Sequence, residues 1–314
     1  MSKTSLSRIA SIQLKVRELI WETQFLAKLG QTWPERMSIA KLIITLYFAR
    51  MMPFSTREWE TTIVVRGARY AIGVRTSEIF VFHEIYDFRQ YSRLDDFVPR
   101  SGWTVFDVGA NIGVFTVLQA MQGANVFSFE PNPGACRRLL RNVALNNLRN
   151  VRVFPTALGD ERGTGSLHVT KGGTTGGSVV PTHEQPATSG IAVPIATLDD
   201  VVSTLPASSI DLLKIDAEGS EVAILLGGER ALDNVQRIIV EYHSRDLLRQ
   251  VRDILDRKGF SQEMIVDYYA EDKERGEEEV GILYARRTLQ PSQPERLSTP
   301  AAAQPKKIKI KAAA

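Results

Sequence analysis

The feature of this 314-residue chain that most constrains its fold is the junction between an apolar segment and a glycine-rich turn at residues 105–114. The sequence there reads Val-Phe-Asp-Val-Gly-Ala-Asn-Ile-Gly-Val, and an apolar, helix-compatible run follows it, Phe115–Met121. Glycine accepts positive φ and lets a ligand approach the backbone closely. The first turn of a helix carries N–H groups without partners. The junction therefore predicts a strand that turns into a helix and builds a nucleotide-binding corner.

The spacing within this turn differs from the dinucleotide-binding pattern Gly-x-Gly-x-x-Gly, in which a pyrophosphate sits at the helix N-terminus. Here Asp107 comes two residues before Gly109, and the turn continues with Asn111 and Gly113. An acid beside the turn repels a pyrophosphate and suits a ligand with a positive centre and no phosphate. S-adenosylmethionine fits that description, and we expect all four residues to line its site. A tight turn that binds nothing is the alternative, because Gly and Asn also serve turns for steric reasons.

Strands and helices alternate from Gly102 onward. The predicted strands are Thr104–Val108, Asn125–Phe129, Val151–Ala157, Ile210–Ile215, Arg237–Glu241, Ser261–Val266 and Val280–Tyr284. The predicted helices are Ile112–Met121, Pro133–Asn146, Ser220–Leu226 and Asp246–Arg257. This alternation predicts an α/β fold, a mostly parallel sheet with helices on both faces. Ligands of such sheets bind beyond the carboxyl ends of the strands.

The pattern divides the chain into four parts. We expect an N-terminal helical extension (1–58), a small β element leading into the core (59–100), the α/β domain (101–288) and a disordered basic tail (289–314). The strands predicted in the β element are Thr61–Val65, Arg69–Val74 and Ile79–Phe82. The stretch before Ile210 is irregular, and its glycine-rich segment Lys171–Ser178 is either a flexible surface loop or a lid over the site.

Charge and composition exclude several classes of protein. Of the net charge of +3, residues 291–314 supply +4, so the rest of the chain lacks the broad basic surface of a nucleic-acid-binding protein. The single cysteine, Cys136, excludes an internal disulfide and a multi-cysteine zinc site. No secretory signal stands out, so we expect a cytoplasmic protein.

The most apolar run, Leu42–Ala49, is far shorter than the roughly 20 residues that a membrane span needs, so we expect no transmembrane segment. We favour an amphipathic helix packed on the body, and a membrane-surface helix is the alternative. The N-terminal helices are also candidates for a homo-oligomer contact.

Three further cofactor contacts are predicted where strands end, at Glu130, Ala157 and Asp216. Glu130 follows the second strand, where an acid accepts hydrogen bonds from two ribose hydroxyls. A helix-capping role for Glu130 is the alternative, since Asn132 and Pro133 open a helix. The third strand brings the backbone N–H of Ala157 to the position expected for an adenine ring.

Charged residues cluster after the fourth and fifth strands. Lys214, Asp216 and Glu218 alternate, so they project on one side of an extended segment. Charges at this position are costly unless they are paired or functional. A surface ion pair before a capped helix is the alternative, but it does not explain Lys214, which precedes the end of the strand. Asp216, with Glu241 and His243 of the fifth strand, could bind a divalent cation, but three such residues are too few to assert one, and we predict no metal.

Four segments together resemble the FkbM family of S-adenosylmethionine-dependent methyltransferases: Phe106–Gly113, Phe129–Pro131, Thr197–Asp200 and Leu213–Glu221. The resemblance covers roughly residues 80–285. It implies a Rossmann-like methyltransferase sheet with an antiparallel last strand. It also implies methyl transfer to an oxygen of a sugar, a polyketide or a similar small molecule, with S-adenosylmethionine as the cofactor.

A hydroxyl acceptor must lose its proton during such a transfer. We assign this step to Glu218, with Asp216 orienting it or binding a cation, and we place Lys214 in the same catalytic set. Burial would have to raise the pKa of Glu218, because a free glutamate titrates near about 4.3. His243 is the alternative base, since the pKa of imidazole is closer to neutrality.

Three other functions compete with methyl transfer to a hydroxyl. A nicotinamide-dependent oxidoreductase is disfavoured by the missing third glycine of the fingerprint and by Asp107. Methylation of nucleic-acid bases is disfavoured by Asp216–Gly219, where base-amine methyltransferases carry Asn-Pro-Pro-Tyr-like residues. A non-catalytic S-adenosylmethionine-binding module is disfavoured by the full set of acids. The sequence does not identify the acceptor, for which we expect a small molecule or glycan and no nucleic acid.

Overall fold

The computed structural model describes residues 23–51, 60–73, 78–168, 178–181, 190–205, 209–269, 279–288 and 306–311. The segment Lys171–Ser178, predicted to be a loop or lid, lies outside these residues except for its last position. None of the helices in these ranges combines the length and the apolar character that crossing a membrane would require.

Two helices and a β-hairpin precede the α/β domain. They are α1 (residues 23–29), α2 (Trp33–Met51), β1 (Glu60–Val65) and β2 (Ala68–Gly73). The buried carboxylate of Glu35 joins the start of α2 to the hairpin turn, because it accepts hydrogen bonds from the backbone N–H groups of Thr32 (2.9 Å) and Gly67 (2.8 Å). Further along α2, Ser38 Oγ accepts a hydrogen bond from Val64 N at 2.9 Å. These contacts attach the first two turns of α2 to the hairpin.

The prediction of a strand at Ile79–Phe82 is wrong. These residues belong to helix α3 (Glu78–Phe82), which continues into a π-helical turn at His83–Asp87. A short apolar run is compatible with a buried helix as well as with a strand, so periodicity alone does not separate them. A 3₁₀ turn at Asp95–Phe97 then leads into the α/β domain.

The remaining elements follow in chain order. They are β3 (Thr104–Val108), α4 (Val114–Met121), β4 (Asn125–Phe129), α5 (Pro133–Leu145), β5 (Val151–Phe154), β6 (Ala157–Gly159), β7 (Gly163–His168), β8 (Ser178–Pro181), β9 (Ile191–Thr197), α6 (Leu198–Thr204), β10 (Leu212–Ile215), α7 (Glu221–Leu226), β11 (Arg237–Tyr242), α8 (Arg245–Arg257), β12 (Phe260–Tyr269), β13 (Glu279–Arg287) and β14 (Lys306–Lys311).

The main sheet has the strand order β14-β12-β13-β11-β10-β3-β4-β5. The pairs β3–β4, β4–β5, β3–β10 and β10–β11 are parallel, and β13 is antiparallel to both of its neighbours, β11 and β12. The order of the strands changes direction between β3 and β10, so their carboxyl ends border the crevice in which ligands of such sheets bind. The predicted α/β fold with one antiparallel strand is confirmed.

A second sheet occupies much of the stretch that the sequence left irregular. Its strand order is β6-β9-β7-β8. The single strand predicted at Val151–Ala157 is in fact divided, because Pro155 and Thr156 interrupt it and Ala157 starts β6 in the second sheet. A proline has no N–H to donate to a strand ladder, which explains the break.

The basic tail differs in part from the prediction of disorder. Its residues Lys306–Lys311 form β14, which pairs parallel to β12 at the edge of the main sheet. The alternation of lysine and isoleucine in this segment has the period of a strand. Residues 289–305 and 312–314 lie outside the described part of the chain.

The core lies on both faces of the main sheet. Consecutive residues of a strand point to opposite faces, and here Val105 and Leu212 pack towards α2, α4 and the hairpin. Phe106 and Leu213 pack on the other face, towards α6, α7 and α8. All four side chains are fully buried, so the strand ends at the crevice are held by two packed layers.

Two glycines allow the turn between β3 and α4 to pass close to its neighbours. Gly109 has a φ of 74° and Gly113 a φ of 83°. A Cβ on Gly109 would lie 1.7 Å from the carbonyl oxygen of Asp216, and one on Gly113 would lie 2.1 Å from Leu139 Cδ1. Only glycine therefore lets this turn lie directly against the end of β10.

We predict that Gly109→Ala destabilises the protein by about 2 kcal/mol or more, because the methyl group adds a backbone clash to the strain of a positive φ. Gly259→Ala is the matched control, since Gly259 has a φ of 75° but a Cβ added there would meet no atom within 4 Å. The free energy of unfolding in urea measures both effects. Equal losses in the two variants would contradict the role given to the contact between Gly109 and Asp216.

Candidate active site

A cavity of about 320 Å³ opens at the carboxyl ends of β3, β4 and β10. Its polar wall includes carboxylates from four separate parts of the chain, and its apolar wall includes two aromatic rings and small residues. The residues that line it include Phe80, Glu84, Gly109, Asn111, Phe129, Glu130, Ala157, Leu158, Asp216, Glu218 and Glu241. The volume lies at the lower end of the range for small-molecule and cofactor sites.

Glu130 stands at the end of β4, facing the glycine turn. One of its carboxylate oxygens accepts a hydrogen bond from Asn111 N and the other from Asn132 N, both at 2.7 Å. Each oxygen retains a second lone pair for a ligand hydroxyl. Burial raises the pKa of Glu130 to about 7, although the two backbone hydrogen bonds oppose this shift. The N-cap of α5 is Asn132, whose Oδ1 accepts from Gly134 N. At the start of this helix Glu130 binds the backbone N–H of Asn132 itself.

Asp107 and Lys214 lie beneath the cavity and do not line it. Lys214 Nζ is 3.0 Å from Asp107 Oδ1 and 3.2 Å from the carbonyl oxygen of Gly109. The other oxygen of Asp107 accepts a hydrogen bond from Thr116 Oγ1 at 2.6 Å. Both charged side chains are almost completely buried. The predicted ligand contact of Asp107 is therefore replaced by an internal ion pair that supports the turn.

The ammonium of Lys214 also faces the cavity acids. It lies 3.6 Å from Asp216 Oδ2 and 4.9 Å from the centre of the Tyr91 ring. Burial opposes its charge, but Asp107 and Asp216 outweigh burial and hold the pKa of Lys214 above its usual value. Lys214 therefore stays positively charged and partly neutralises the carboxylates above it.

Tyr91 joins two of these carboxylates. Its hydroxyl lies 2.7 Å from Glu241 Oε2 and 3.0 Å from Asp216 Oδ2. A phenol has one proton to donate, so both contacts are not satisfied at once when both acids are ionised. Burial, reinforced by the charge of Asp216, raises the pKa of Glu241 to about 8. Glu241 is therefore largely protonated at neutral pH.

Two residues at the cavity were not identified from the sequence. Glu84 lines the cavity, and Tyr91 binds two of the acids that line it. Glu84 belongs to the π-helical turn, and it lines the cavity together with Phe80. Burial, followed by the charges of Glu241 and Asp216, raises the pKa of Glu84 well above its usual value. The available signal was a carboxylate within an otherwise apolar segment, and no motif spacing marked it.

The third group at the cavity mouth consists of Glu218, Glu221 and His243. Glu218 has a φ of 49°, which is uncommon for a residue other than glycine. Its Oε2 is 3.3 Å from His243 Nε2, and His243 Nδ1 is 2.9 Å from Glu221 Oε1. Burial lowers the pKa of His243, but the hydrogen bond and charge of Glu221 outweigh it and raise that pKa to about 10.

The raised pKa argues against His243 as the alternative base. An imidazole whose pKa is about 10 carries its proton at neutral pH and cannot accept another. Its ring is held between Glu218 and Glu221, so its geometry suits a residue that orients Glu218.

The structure brings some predicted residues together and separates others. Gly109, Asn111, Glu130, Ala157, Asp216 and Glu218 line one cavity. Gly113 lies below the turn against Leu139, outside that lining. One ligand atom each of Asp216, Glu241 and His243 lies within 4.8 Å of the others. Both ring nitrogens of His243 already face carboxylates, so this geometry does not favour a metal ion.

Residues 107–261 match the family model described as the methyltransferase FkbM domain. The chain is 28% identical over 160 residues to the hexuronic acid methyltransferase AglP of Haloferax volcanii, an alignment that covers 51% of this chain and 64% of that protein. It is 29% identical over 233 residues to the 31-O-demethyl-FK506 methyltransferase FkbM of Streptomyces tacrolimicus, covering 64% of this chain and 89% of that protein. It is 29% identical over 172 residues to the 2-O-methyltransferase NoeI of Sinorhizobium fredii, covering 48% of this chain and 70% of that protein.

The matched segment begins at Asp107 and contains the glycine turn, Glu130 and the acids that follow β10. It includes β4, β5, β10 and β11 of the mostly parallel sheet on which the cavity is built. Residues 107–261 of this chain are therefore an FkbM-family, S-adenosylmethionine-dependent methyltransferase domain.

Proposed function

We propose that this enzyme transfers a methyl group from S-adenosylmethionine to a hydroxyl oxygen of a small molecule or glycan. One observation carries the proposal: Glu130, suited to ribose hydroxyls, and an acidic cluster line the same cavity. The names of two similar proteins specify methylation at oxygen, and that of a third specifies a hexuronic acid. A sugar or another polyhydroxyl compound is therefore our proposed acceptor class.

The cavity fits S-adenosylmethionine in shape and in charge. Gly109 leaves the backbone of the turn uncovered, because any side chain there would meet Asp216. Glu130 offers lone pairs for the two ribose hydroxyls, and Ala157 and Leu158 offer a small apolar surface for the base. Bound S-adenosylmethionine supplies a methyl group that is activated by a positively charged sulfur. The nearby carboxylate of Asp216 favours such a cation.

We assign removal of the acceptor proton to Glu218. It is the most exposed acid that lines the cavity, since 37% of its side chain is accessible. The burial expected for this carboxyl group is therefore not found, but its exposure lets an acceptor reach it from solvent. The protonated His243 lies between two carboxylates. Its Nδ1 binds Glu221, and its Nε2 holds the carboxylate of Glu218 in position. Asp216 and Glu241 lie further inside, where the proton on Glu241 and the charge of Lys214 limit the build-up of negative charge. In this proposal the charge of Lys214 takes the place that a divalent cation would otherwise fill.

The decisive experiment is methyl transfer from labelled S-adenosylmethionine to a panel of hydroxyl-bearing acceptors, including hexuronic acids and other sugars. The proposal expects a labelled methyl ether on at least one acceptor. Titration with NADH in parallel tests the oxidoreductase alternative. Tight NADH binding without S-adenosylmethionine binding would contradict the proposal, and cofactor binding without turnover on any acceptor would favour a non-catalytic module.

We predict that Glu218→Gln lowers kcat by about 10²–10⁴-fold while the dissociation constant of S-adenosylmethionine changes little, because the amide keeps the shape but accepts no proton. The exposed Glu229, which lies outside the cavity, gives the matched control Glu229→Gln. Single-turnover rates and a binding titration separate the two quantities. An unchanged rate in Glu218→Gln on the true acceptor would remove Glu218 from the role of base.

We predict that S-adenosylmethionine binds more tightly as the pH rises from about 6 to about 9. Glu130 loses its proton near pH 7 and Glu241 near pH 8, so both become negative in this window. One additional charge near the ligand corresponds to about fivefold in affinity, or about 1 kcal/mol. Calorimetric titration at several pH values measures the trend.

Glu241→Gln serves as the control for this pH dependence. The amide is neutral at every pH, so the variant loses the part of the trend near pH 8 that belongs to Glu241. Titration of the ligand itself is common to both proteins and cancels in the comparison. Identical pH profiles for the wild type and Glu241→Gln would contradict the assignment.

A further inference from the structure

Helix α2 carries a row of large apolar side chains on its outer surface. The exposed fractions are 73% for Trp33, 52% for Met37, 56% for Ile44, 42% for Tyr47 and 53% for Phe48. At 3.6 residues per turn these five side chains fall within about 100° of the helix circumference, and we call them the α2 stripe. Single exposed apolar residues are common, but a contiguous row of them marks an interaction surface.

The α2 stripe is not needed to hold α2 on the body. The opposite face of the helix already packs into the core through Ile39, Leu42 and Leu46, each at most 4% exposed. Ser38 adds its hydrogen bond to the backbone of β1. Most surface helices have one apolar face and one polar face. The second apolar face of α2 therefore requires an explanation outside its own packing.

Positive charges border the α2 stripe on both sides. Arg36 and Lys41 are exposed, and the helical repeat puts Arg36 on one flank of the stripe and Lys41 on the other. The only acid of α2 is Glu35, which is 3% exposed and whose oxygens accept hydrogen bonds from backbone N–H groups. Among the residues of α2 whose side chains are described, the exposed charges are thus all positive.

The neighbouring segments extend this positive character. Residues 23–51 and 60–73 contain six basic residues and two acidic ones. The second acid, Glu60, forms ion pairs with Arg138 and Arg141. The exposed charges that border the α2 stripe, Arg36 and Lys41, are therefore complementary to an anionic partner.

We propose that the α2 stripe docks on a membrane surface that contains anionic lipid, with the axis of α2 parallel to the membrane plane. Trp, Tyr and Phe are enriched at the boundary between lipid headgroups and acyl chains. Flanking Arg and Lys side chains reach the anionic headgroups, as in interfacial amphipathic helices. A second copy of the chain fits less well, because a two-fold contact through the stripe would bring Arg36 and Lys41 of both copies together.

The test is co-sedimentation of the full chain with vesicles of phosphatidylcholine alone and with vesicles of phosphatidylcholine and phosphatidylglycerol in equal parts. The wild type is expected to bind the anionic vesicles at least about tenfold more tightly, and added salt weakens that binding. The double variant Trp33→Ser/Phe48→Ser is expected to lose at least about tenfold in affinity. Arg36→Glu/Lys41→Glu is expected to remove the preference for anionic lipid.

The matched control is Leu140→Ser, which removes an apolar side chain that is 51% exposed on α5. It is expected to leave vesicle binding unchanged. Thermal unfolding midpoints show whether each variant folds, and Trp33→Phe identifies the part of the tryptophan emission shift on binding that comes from Trp33. Absence of wild-type binding, or equal binding by the wild type and Trp33→Ser/Phe48→Ser, overturns the proposal. A wild-type dimer that the same double variant converts to a monomer overturns it in favour of self-association.

Discussion

The buried ion pair between Lys214 and Asp107 is the interaction on which the geometry of the site depends. These residues are direct neighbours in the parallel register of β10 on β3. Leaving either charge alone in this interior would cost several kcal/mol, so the pair strongly favours one register. Lys214 also binds the carbonyl oxygen of Gly109, and Gly109 in turn lies against Asp216. The ion pair thus holds the glycine turn and the acids after β10 in one arrangement.

This arrangement divides the cavity into two halves, one around Glu130 and the other around Asp216 and Glu241. On one side, Glu130 accepts hydrogen bonds from the backbone N–H groups of Asn111 in the turn and Asn132 at the start of α5, and its carboxylate remains available to ligand hydroxyls. On the other side, Asp216 and Glu241 share Tyr91 as a hydrogen-bond donor, and Lys214 supplies the balancing positive charge. A cluster of acids this close together is tolerated because protons and one buried cation reduce its net charge. Such a surface suits a positively charged methyl donor.

The strand-end residues could be predicted from the sequence, because parallel strands bring their carboxyl ends to one edge. This argument places Glu130 and Asp216 correctly in one cavity. It fails for Asp107, which precedes the last residue of β3 and so points into the packed interior. It also misses Glu84 and Tyr91, which come from a helical turn and a loop whose path depends on tertiary packing. Short apolar segments carry no periodic signal strong enough to reveal that path.

A double-mutant cycle on Lys214→Met and Asp107→Asn tests this account most directly. It is read both as the free energy of unfolding in urea and as the affinity for S-adenosylmethionine. The account predicts that Lys214→Met alone destabilises the protein by about 3–5 kcal/mol, because Asp107 loses its ion-pair partner. It predicts weaker cofactor binding as well, because the glycine turn loses the hydrogen bond from Lys214 to the carbonyl oxygen of Gly109. It also predicts that the double variant loses less stability than the sum of the single variants. Additive losses, together with unchanged cofactor affinity in Lys214→Met, would contradict it.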